Sequence, residues 1–217
     1  MSRIIIECGS GNTCRNNPVI IGKMIDEITK IDTHKHEIIF KWQLFEKAGN
    51  NIPLDYDMFN LAYWYAKYKG YETTASVFDK HSLWRLLKAT DYDPVFVKIA
   101  NNRDLDYLIG EIPRKIPVYV SISNVQEIRE IRNYLSLFTQ IDIPMMCVSE
   151  YPADITQYEK NFNKGVLGRA ISDHTIGLDL FNKYKPAIWE KHFKLKDSTG
   201  LDAGEFAITP EELQAIL

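Results

Sequence analysis

The chain has 217 residues, of which 45% are hydrophobic and 25% are charged, and its formal net charge is −3. This composition is typical of a soluble globular protein, and the net charge provides no overall attraction to nucleic acid. No apolar run approaches the roughly 18 residues of a membrane-spanning helix, and the apolar N-terminal stretch is too short for a signal peptide. We therefore expect a cytoplasmic protein with neither nucleic acid nor membrane as a partner.

Short apolar runs alternate with helical patterns along the whole chain. The apolar runs predict eight strands, at residues 3–8, 37–42, 71–75, 95–100, 117–120, 143–148, 165–171 and 187–191. Helical spacing and helix-boundary residues predict the helices between and after them, at residues 19–31, 54–68, 80–88, 103–110, 125–138, 156–161, 177–184 and 209–217. Such alternation predicts parallel pairing, and continuously apolar strands predict burial on both faces.

Eight successive strand–helix units predict a closed (β/α)₈ TIM barrel, an α/β fold. A doubly wound open sheet is the alternative for the same alternation. No linker, repeat or low-complexity segment marks a boundary, so we expect one compact domain over residues 1–217.

The three cysteines, Cys8, Cys14 and Cys147, have no metal-binding spacing. Their odd number argues against a complete disulfide framework. Two of them fall in or beside predicted strands, so we expect buried free thiols in a reducing compartment.

The carboxyl ends of the predicted strands carry many polar residues, and in such barrels this is the end where catalysis takes place. In chain order they are Glu7, Lys41, Gln43, Ser76, Lys98, Asn101, Ser121, Ser123, Ser149, Glu150, Tyr151, Ser172, Asp173, His174, Glu190, Lys191 and His192. Because all strand ends of a parallel barrel meet at one rim, we expect these residues around one site.

Two histidines, His174 and His192, each stand where an apolar strand stops. If the two strands are neighbours, their imidazoles converge, and imidazole is a common ligand of divalent transition metals. The alternative for each is a solvated loop residue. In either case we expect neither ring to pack in the core.

Two lysines, Lys41 and Lys98, end or follow apolar strands. A buried lysine without a partner is costly, so such a residue usually faces an anion or a carboxylate. The alternative is a side chain that reaches solvent or pairs with a neighbouring glutamate. With the hydroxyl groups and the imidazoles, the lysines favour a site for a phosphorylated or carboxylated ligand and a divalent metal.

A series of motifs in the order of the chain resembles the sialic acid synthase (N-acetylneuraminate synthase) family. The motifs are Lys41-Trp42-Gln43-Leu44-Phe45, Phe78-Asp79, Lys98-Ile99-Ala100, Cys147-Val148-Ser149-Glu150-Tyr151-Pro152, Ser172-Asp173-His174-Thr175-Ile176-Gly177, Glu190-Lys191-His192-Phe193, Gly200-Leu201-Asp202 and Thr209-Pro210-Glu211-Glu212-Leu213. The Ser-Asp-His-Thr and Glu-Lys-His-Phe motifs are the most specific. The chain resembles a compact form that lacks the family's C-terminal antifreeze-like domain.

The resemblance implies a TIM barrel with transferase activity in carbohydrate biosynthesis. Members of the family condense phosphoenolpyruvate with N-acetylmannosamine or a related amino sugar to form a sialic-acid-like nonulosonic acid, releasing phosphate. The reaction is metal-dependent, with Mn²⁺ or Mg²⁺ as the cofactor. The resemblance is also compatible with a homodimer.

The resemblance further implies a role for each matching residue. His174 and His192 would bind the metal, and Lys41, Lys98, Ser121 and Ser172 would hold the phosphate and carboxylate of phosphoenolpyruvate. Gln43, Tyr151 and Asp202 would line the sugar end, with Asp202 orienting the sugar, and Glu7 would handle protons or position water near the reacting carbons. Ser76, Asn101 and Ser149 complete the expected substrate-binding set.

Several positions depart from the family pattern. Asn101 stands where the family has serine, Ser76 where it has threonine, and Gly11-Asn12 where it has Asn-His; the loop at residues 46–53 is shorter. These departures, together with the expected lack of the C-terminal domain, keep two other functions open. One is a non-catalytic barrel that binds a phosphorylated metabolite, and the other is a different phosphoenolpyruvate-dependent aldol-type synthase.

Two residues with a proposed catalytic role also have a purely structural interpretation. Glu7 could be a structural carboxylate paired with Lys41 across adjacent strands. Asp202 could be a loop-capping residue.

Overall fold

Eight parallel strands close into a barrel in chain order in the computed structural model, which describes residues 1–47, 49–124, 126–127, 129–131, 142–162 and 170–217. The strands are β1 (Arg3–Glu7), β2 (Glu37–Leu44), β3 (Glu72–Val77), β4 (Val97–Ile99), β5 (Val118–Ile122), β6 (Asp142–Cys147), β7 (Ala170–Asp173) and β8 (Ile188–His192). Strand β1 pairs with both β2 and β8, which completes the ring. The predicted barrel is confirmed, and the open sheet is wrong.

The helices surround this barrel. They span Gly11–Cys14, Pro18–Ile31, Tyr56–Tyr68, Lys80–Ala89, Ile155–Phe162, Asp179–Tyr184 and Pro210–Leu213, with 3₁₀ helices at Arg103–Glu111 and Leu201–Ala203. None of the helices in the described part of the chain combines the length and apolar character that crossing a bilayer requires.

Two predicted helices differ from the observed ones in kind or length. The segment at 103–110 is a 3₁₀ helix, and the helix predicted at 209–217 is confined to Pro210–Leu213. The helix predicted at 125–138 lies mostly outside the described residues, as does the beginning of the strand predicted at 165–171.

The helix Pro18–Ile31 shows how local sequence sets an element. The Asn17 side chain accepts a hydrogen bond from the backbone N–H of Val19, and proline occupies the first turn, where its missing N–H has no cost. The residues that face the barrel are Ile21, Met24, Ile25 and Ile28, all fully buried. Their helical spacing therefore explains both the helix and its packing on the sheet.

The barrel interior is layered from apolar to polar. Its apolar layer contains Ile5, Ile39, Phe96, Tyr119, Met145 and Ala170. Because alternate residues of a strand face the same side, the residue two positions later lies directly above each of these, toward the carboxyl ends. Those residues are Glu7, Lys41, Lys98, Ser121, Cys147 and Ser172. An apolar plug thus forms the floor under a ring of polar side chains.

The plug residue Phe96 offers a direct test of this layering. Its ring stacks on Tyr119 with centroids 4.1 Å apart and is fully buried. Phe96→Ala should destabilise the fold by about 3–5 kcal/mol, because it removes buried apolar surface and leaves a cavity. Urea unfolding measures the change. Tyr68→Ala, at a position 84% exposed, is the control and should shift stability by less than about 0.5 kcal/mol. Equal stability of the two variants would show that the apolar layer around Phe96 does not stabilise the barrel.

Candidate active site

The carboxyl ends of the strands open into a cleft of about 330 Å³. The cleft is lined by every residue to which the resemblance gives a role, namely Glu7, Lys41, Gln43, Ser76, Lys98, Asn101, Ser121, Ser149, Tyr151, Ser172, His174, His192 and Asp202. Four other residues expected around the site do not line it, namely Ser123, Glu150, Asp173 and Lys191. This volume lies within the range of small-molecule sites. The structure therefore brings together the residues that have a predicted role, while the role of each one stays a prediction.

Lys41 lies at the floor of the cleft between two carboxylates. The register of β1 and β2 places it opposite Glu7, and its Nζ donates to Glu7 Oε2 and, at 2.7 Å, to Ser76 Oγ. Glu7 Oε1 accepts a hydrogen bond from the backbone N–H of Gly9 at 2.9 Å. The predicted structural pairing of Glu7 with Lys41 is thus present. Since Glu7 also lines the cleft, the pairing leaves it within reach of a ligand.

Glu190, a residue without a predicted role, connects the two buried lysines. Its Oε1 accepts from Lys98 Nζ at 3.2 Å and from Ser172 Oγ at 2.7 Å, and its Oε2 lies 3.6 Å from Lys41 Nζ. Lys98 also donates to Ser121 Oγ at 2.8 Å. One signal could have found Glu190: it stands two residues before His192 on the same strand, so both must face inward.

The pKa values of this network follow from burial and charge. Burial lowers the pKa of Lys41 to about 8, although the charge of Glu190 opposes the shift. Burial acts to raise the pKa of Glu190, but the charges of Lys41 and Lys98 outweigh it and hold that pKa below its ordinary value. Glu190 is therefore ionised at neutral pH, and it compensates the charge of the two lysines.

The two histidines converge as predicted, with ring centroids 5.4 Å apart. They are 3% and 5% exposed, so the expectation that neither ring packs in the core is wrong. The reason is that His192 is the last residue of β8 and His174 directly follows β7, which directs both rings into the barrel. Phe206 and Tyr151 then pack against them, with Tyr151 4.2 Å from His174 between centroids.

His174 is fixed in one tautomer by its surroundings. Its Nδ1 lies 2.6 Å from the carbonyl oxygen of Val148, and since a carbonyl can only accept, Nδ1 must carry the proton. Burial, followed by the neighbouring His192, lowers the pKa of His174 to about 3. The ring is therefore neutral at physiological pH, with Nε2 free as a lone-pair donor.

The histidine pair fits part of a metal site. A neutral imidazole whose other nitrogen donates to a backbone carbonyl is the usual form of a histidine ligand, and His174 has it. His192 Nδ1 is buried and makes no hydrogen bond within the described residues, although it lies 3.3 Å from Asp202 Oδ1. Across the described part of the chain, no group of three or more His, Cys, Asp and Glu residues is placed to hold a metal. If the two imidazoles bind a metal, water and substrate would therefore have to fill its remaining coordination positions.

Asp202 forms the rim of the cleft together with Gln43. Its Oδ1 accepts from Gln43 Nε2 at 2.8 Å, which ties the carboxylate to a side chain of β2. Whether Asp202 orients a sugar or serves its own loop stays a prediction. Burial acts to raise the pKa of Asp202, but His192 and Gln43 hold it below its ordinary value. Gly9 packs against Asp202: with φ at +75°, a Cβ there would come 2.9 Å from the Asp202 Cβ. Glycine at this position lets the β1 loop approach the carboxylate.

The remaining wall of the cleft is formed by uncharged groups. Asn101 Nδ2 donates to Ser149 Oγ at 2.9 Å, which joins the loops after β4 and β6. Cys147, below them, is one of three buried free thiols, as the sequence predicted. Burial raises the pKa of Cys147 to about 11, so this thiol is protonated at neutral pH and is not an activated nucleophile.

Comparison with known protein families gives one match over most of the chain. The model of the family described as NeuB matches residues 26–217. Among curated proteins, none matches this sequence.

Solved structures share the fold at low sequence identity. N-acetylneuraminic acid (sialic acid) synthetase from Leptospira borgpetersenii, in complex with citrate, is 21% identical with a TM-score of 0.77, over 98% of this chain and 80% of that chain. A proposed spore coat polysaccharide biosynthesis protein E from Chromobacterium violaceum is 18% identical with a TM-score of 0.79, over 99% and 72%. A truncated 3-deoxy-D-arabino-heptulosonate 7-phosphate synthase from Thermotoga maritima is 9% identical with a TM-score of 0.66, over 99% and 83%. At these identities the likeness shows the barrel fold alone.

Removal of the Glu190 charge tests the charge network. Glu190→Gln keeps the side-chain shape but leaves buried Lys98 without its carboxylate, so it should destabilise the fold by about 3 kcal/mol in urea unfolding. Adding Lys98→Met to the same chain should recover part of this loss, because it removes the uncompensated charge. A Glu190→Gln variant as stable as the wild type would show that the carboxylate does not compensate the lysines.

Proposed function

This chain belongs to the NeuB family, and from that premise we propose that it is a synthase that condenses phosphoenolpyruvate with N-acetylmannosamine or a related aldose. The product would be a sialic-acid-like nonulosonic acid, with release of phosphate. One observation carries the proposal: two buried lysines and a pair of converging imidazoles line the same cleft. Lysines suit the anionic groups of phosphoenolpyruvate, and imidazoles suit a divalent metal.

Phosphoenolpyruvate would bind at the floor of the cleft, held by Lys41, Lys98, Ser121 and Ser172. Two ammonium groups and two hydroxyls supply donors for its phosphate and carboxylate oxygens. Glu7 pairs with Lys41 and Glu190 pairs with Lys98, which reduces the cost of keeping the two cations buried. Ion pairs that hold the two lysines in fixed positions would lower the entropy cost of binding the substrate.

The sugar would bind above this layer, at the rim. Gln43 and Asp202, already hydrogen-bonded to each other, would bind its hydroxyl groups, and the Tyr151 ring would form one wall. His174 and His192 would hold Mn²⁺ or Mg²⁺, which when bound supplies Lewis-acid polarisation of a carbonyl.

The bond changes balance with water as the one further reactant: of its two protons, one ends on the former aldehyde oxygen and the other is released with phosphate. Carbon 3 of phosphoenolpyruvate forms a bond to the aldehyde carbon, and the aldehyde oxygen gains a proton to become a hydroxyl. Water adds its oxygen at carbon 2 and loses protons, and phosphate leaves as its bond to carbon 2 breaks. We assign the water-holding and proton-accepting role to Glu7, because Gly9 and Lys41 fix its two oxygens beside the cleft floor.

Phosphate release tests the reaction. With phosphoenolpyruvate, Mn²⁺ and a panel of N-acetylmannosamine and related aldoses, one sugar should support release, and a chelator should abolish it. His174→Asn should lower the rate by more than about a hundredfold, because it removes a proposed metal ligand. Lys183→Ala, an exposed substitution outside the cleft, is the control. Binding of phosphoenolpyruvate without release for any aldose would instead support a non-catalytic barrel.

The charge of Lys41 predicts how the affinity for phosphoenolpyruvate changes with pH. Below its pKa of about 8 the ammonium is protonated and attracts the anion; above it the charge is lost. The Kd should therefore rise through pH 8, with a limiting slope of about one log unit per pH unit if a single proton is required. Calorimetric titration from pH 7 to 10 measures this.

Lys41→Arg is the matched variant, because arginine stays charged over the whole range. Its Kd should show no inflection near pH 8. A wild-type Kd that stays flat across pH 8 would remove Lys41 from the anion site.

A further inference from the structure

A buried ion pair that does not line the cleft lies directly behind the two histidines. Asp173 and Lys191 are both 0% exposed, and Lys191 Nζ is 3.3 Å from Asp173 Oδ1. They are register partners on β7 and β8, and each is followed immediately by a histidine, His174 or His192. Neighbouring residues of a strand face opposite sides of the sheet. The ion pair therefore faces the surrounding helices, whereas the two histidines face the cleft.

Both residues of this ion pair make further hydrogen bonds, to Thr175 after β7 and to Trp189 on β8. Asp173 Oδ1 accepts from the backbone N–H of Thr175 at 2.8 Å and from its Oγ1 at 2.7 Å, and Oδ2 accepts from Trp189 Nε1 at 3.0 Å. Lys191 Nζ in turn donates to the carbonyl oxygen of Thr175 at 2.5 Å. The end of β8 therefore holds the chain on both sides of His174.

Stability alone does not account for such a pair. Two charges removed from water lose hydration that their mutual attraction only partly restores, and a well-packed apolar pair is often as stable. The charged pair adds geometric specificity, because its hydrogen bonds can all form in only one relative placement of the two strand ends. The histidines are covalent neighbours of the pair, and their ring centroids lie 5.4 Å apart.

We propose that Asp173 and Lys191 are positioning residues, whose buried ion pair fixes the ends of β7 and β8 so that His174 and His192 act as joint ligands of one divalent metal. The metal part rests on the proposed function; the placement of the rings does not. Neither residue touches the reacting atoms, so their effect passes through the two histidines.

The double variant Asp173→Asn/Lys191→Met removes both charges together and leaves no unpaired buried ion. We expect a folded protein, by circular dichroism and thermal unfolding, whose Kd for Mn²⁺ by calorimetry is at least about tenfold higher than that of the wild type. Glu159→Gln/Lys183→Met, which removes an ion pair on the exposed face of neighbouring helices, is the control and should keep the wild-type Kd. A folded Asp173→Asn/Lys191→Met protein with wild-type Mn²⁺ affinity would overturn the proposal.

A metal-free measurement separates this inference from the proposed function. In ¹⁵N NMR of the imidazoles, wild-type His174 should show only the Nδ1–H tautomer, and the double variant should show both tautomers or exchange broadening. If the wild type binds no Mn²⁺, the proposed metal chemistry fails, and the NMR comparison alone decides the positioning role. An unchanged spectrum in the double variant would overturn it.

Thr175→Val replaces the double variant if that protein does not fold. It removes the Thr175 hydroxyl that donates to Asp173 and keeps every charge and nearly the same volume. A severalfold rise in the Mn²⁺ Kd, or a second His174 tautomer, supports the proposal. Wild-type affinity together with a single tautomer contradicts it.

Discussion

The need to compensate buried lysines governs the centre of this barrel. Lys41 and Lys98 lie in a cavity with little access to water, where an unpaired ammonium is costly. Glu190 contacts both lysines and Glu7 contacts one, so no charge in this layer is left alone. The groups that balance one another's charge in this layer also line the cleft.

This charged layer depends on the layer below it. The stacked rings of Phe96 and Tyr119, with their apolar neighbours, close the barrel from beneath and exclude water from the lysine side chains. Low polarity under the lysines strengthens every ion pair above, and it is also the reason that the pKa of Lys41 falls. Packing and electrostatics are thus two effects of the same arrangement.

The histidine layer depends on groups outside the barrel. Tyr158 is fully buried, and its hydroxyl donates to the carbonyl oxygen of Ser172 and accepts from the backbone N–H of His174. The backbone N–H of Ala153 donates to the carbonyl oxygen of His174. Together with the pair formed by Asp173 and Lys191, these contacts fix the chain at His174 from several directions. The backbone at His174 is therefore held by hydrogen bonds from several elements.

The sequence by itself determined the alternation of strands and helices and most of the residues at the carboxyl ends of the strands, whereas closure of the sheet into a barrel was decided by the tertiary structure. Alternating strand and helix patterns allow only parallel pairing, and parallel strand ends must meet at one rim, so residues such as Lys41 and His192 could be assigned to one site. Tertiary structure alone decided which neighbours those residues meet. Lys98 and Glu190 are 92 residues apart in the chain, and no local spacing reveals their contact. The burial of the histidines was likewise decided by where β7 and β8 end and by Phe206 and Tyr151 packing over them, because burial depends on distant parts of the chain.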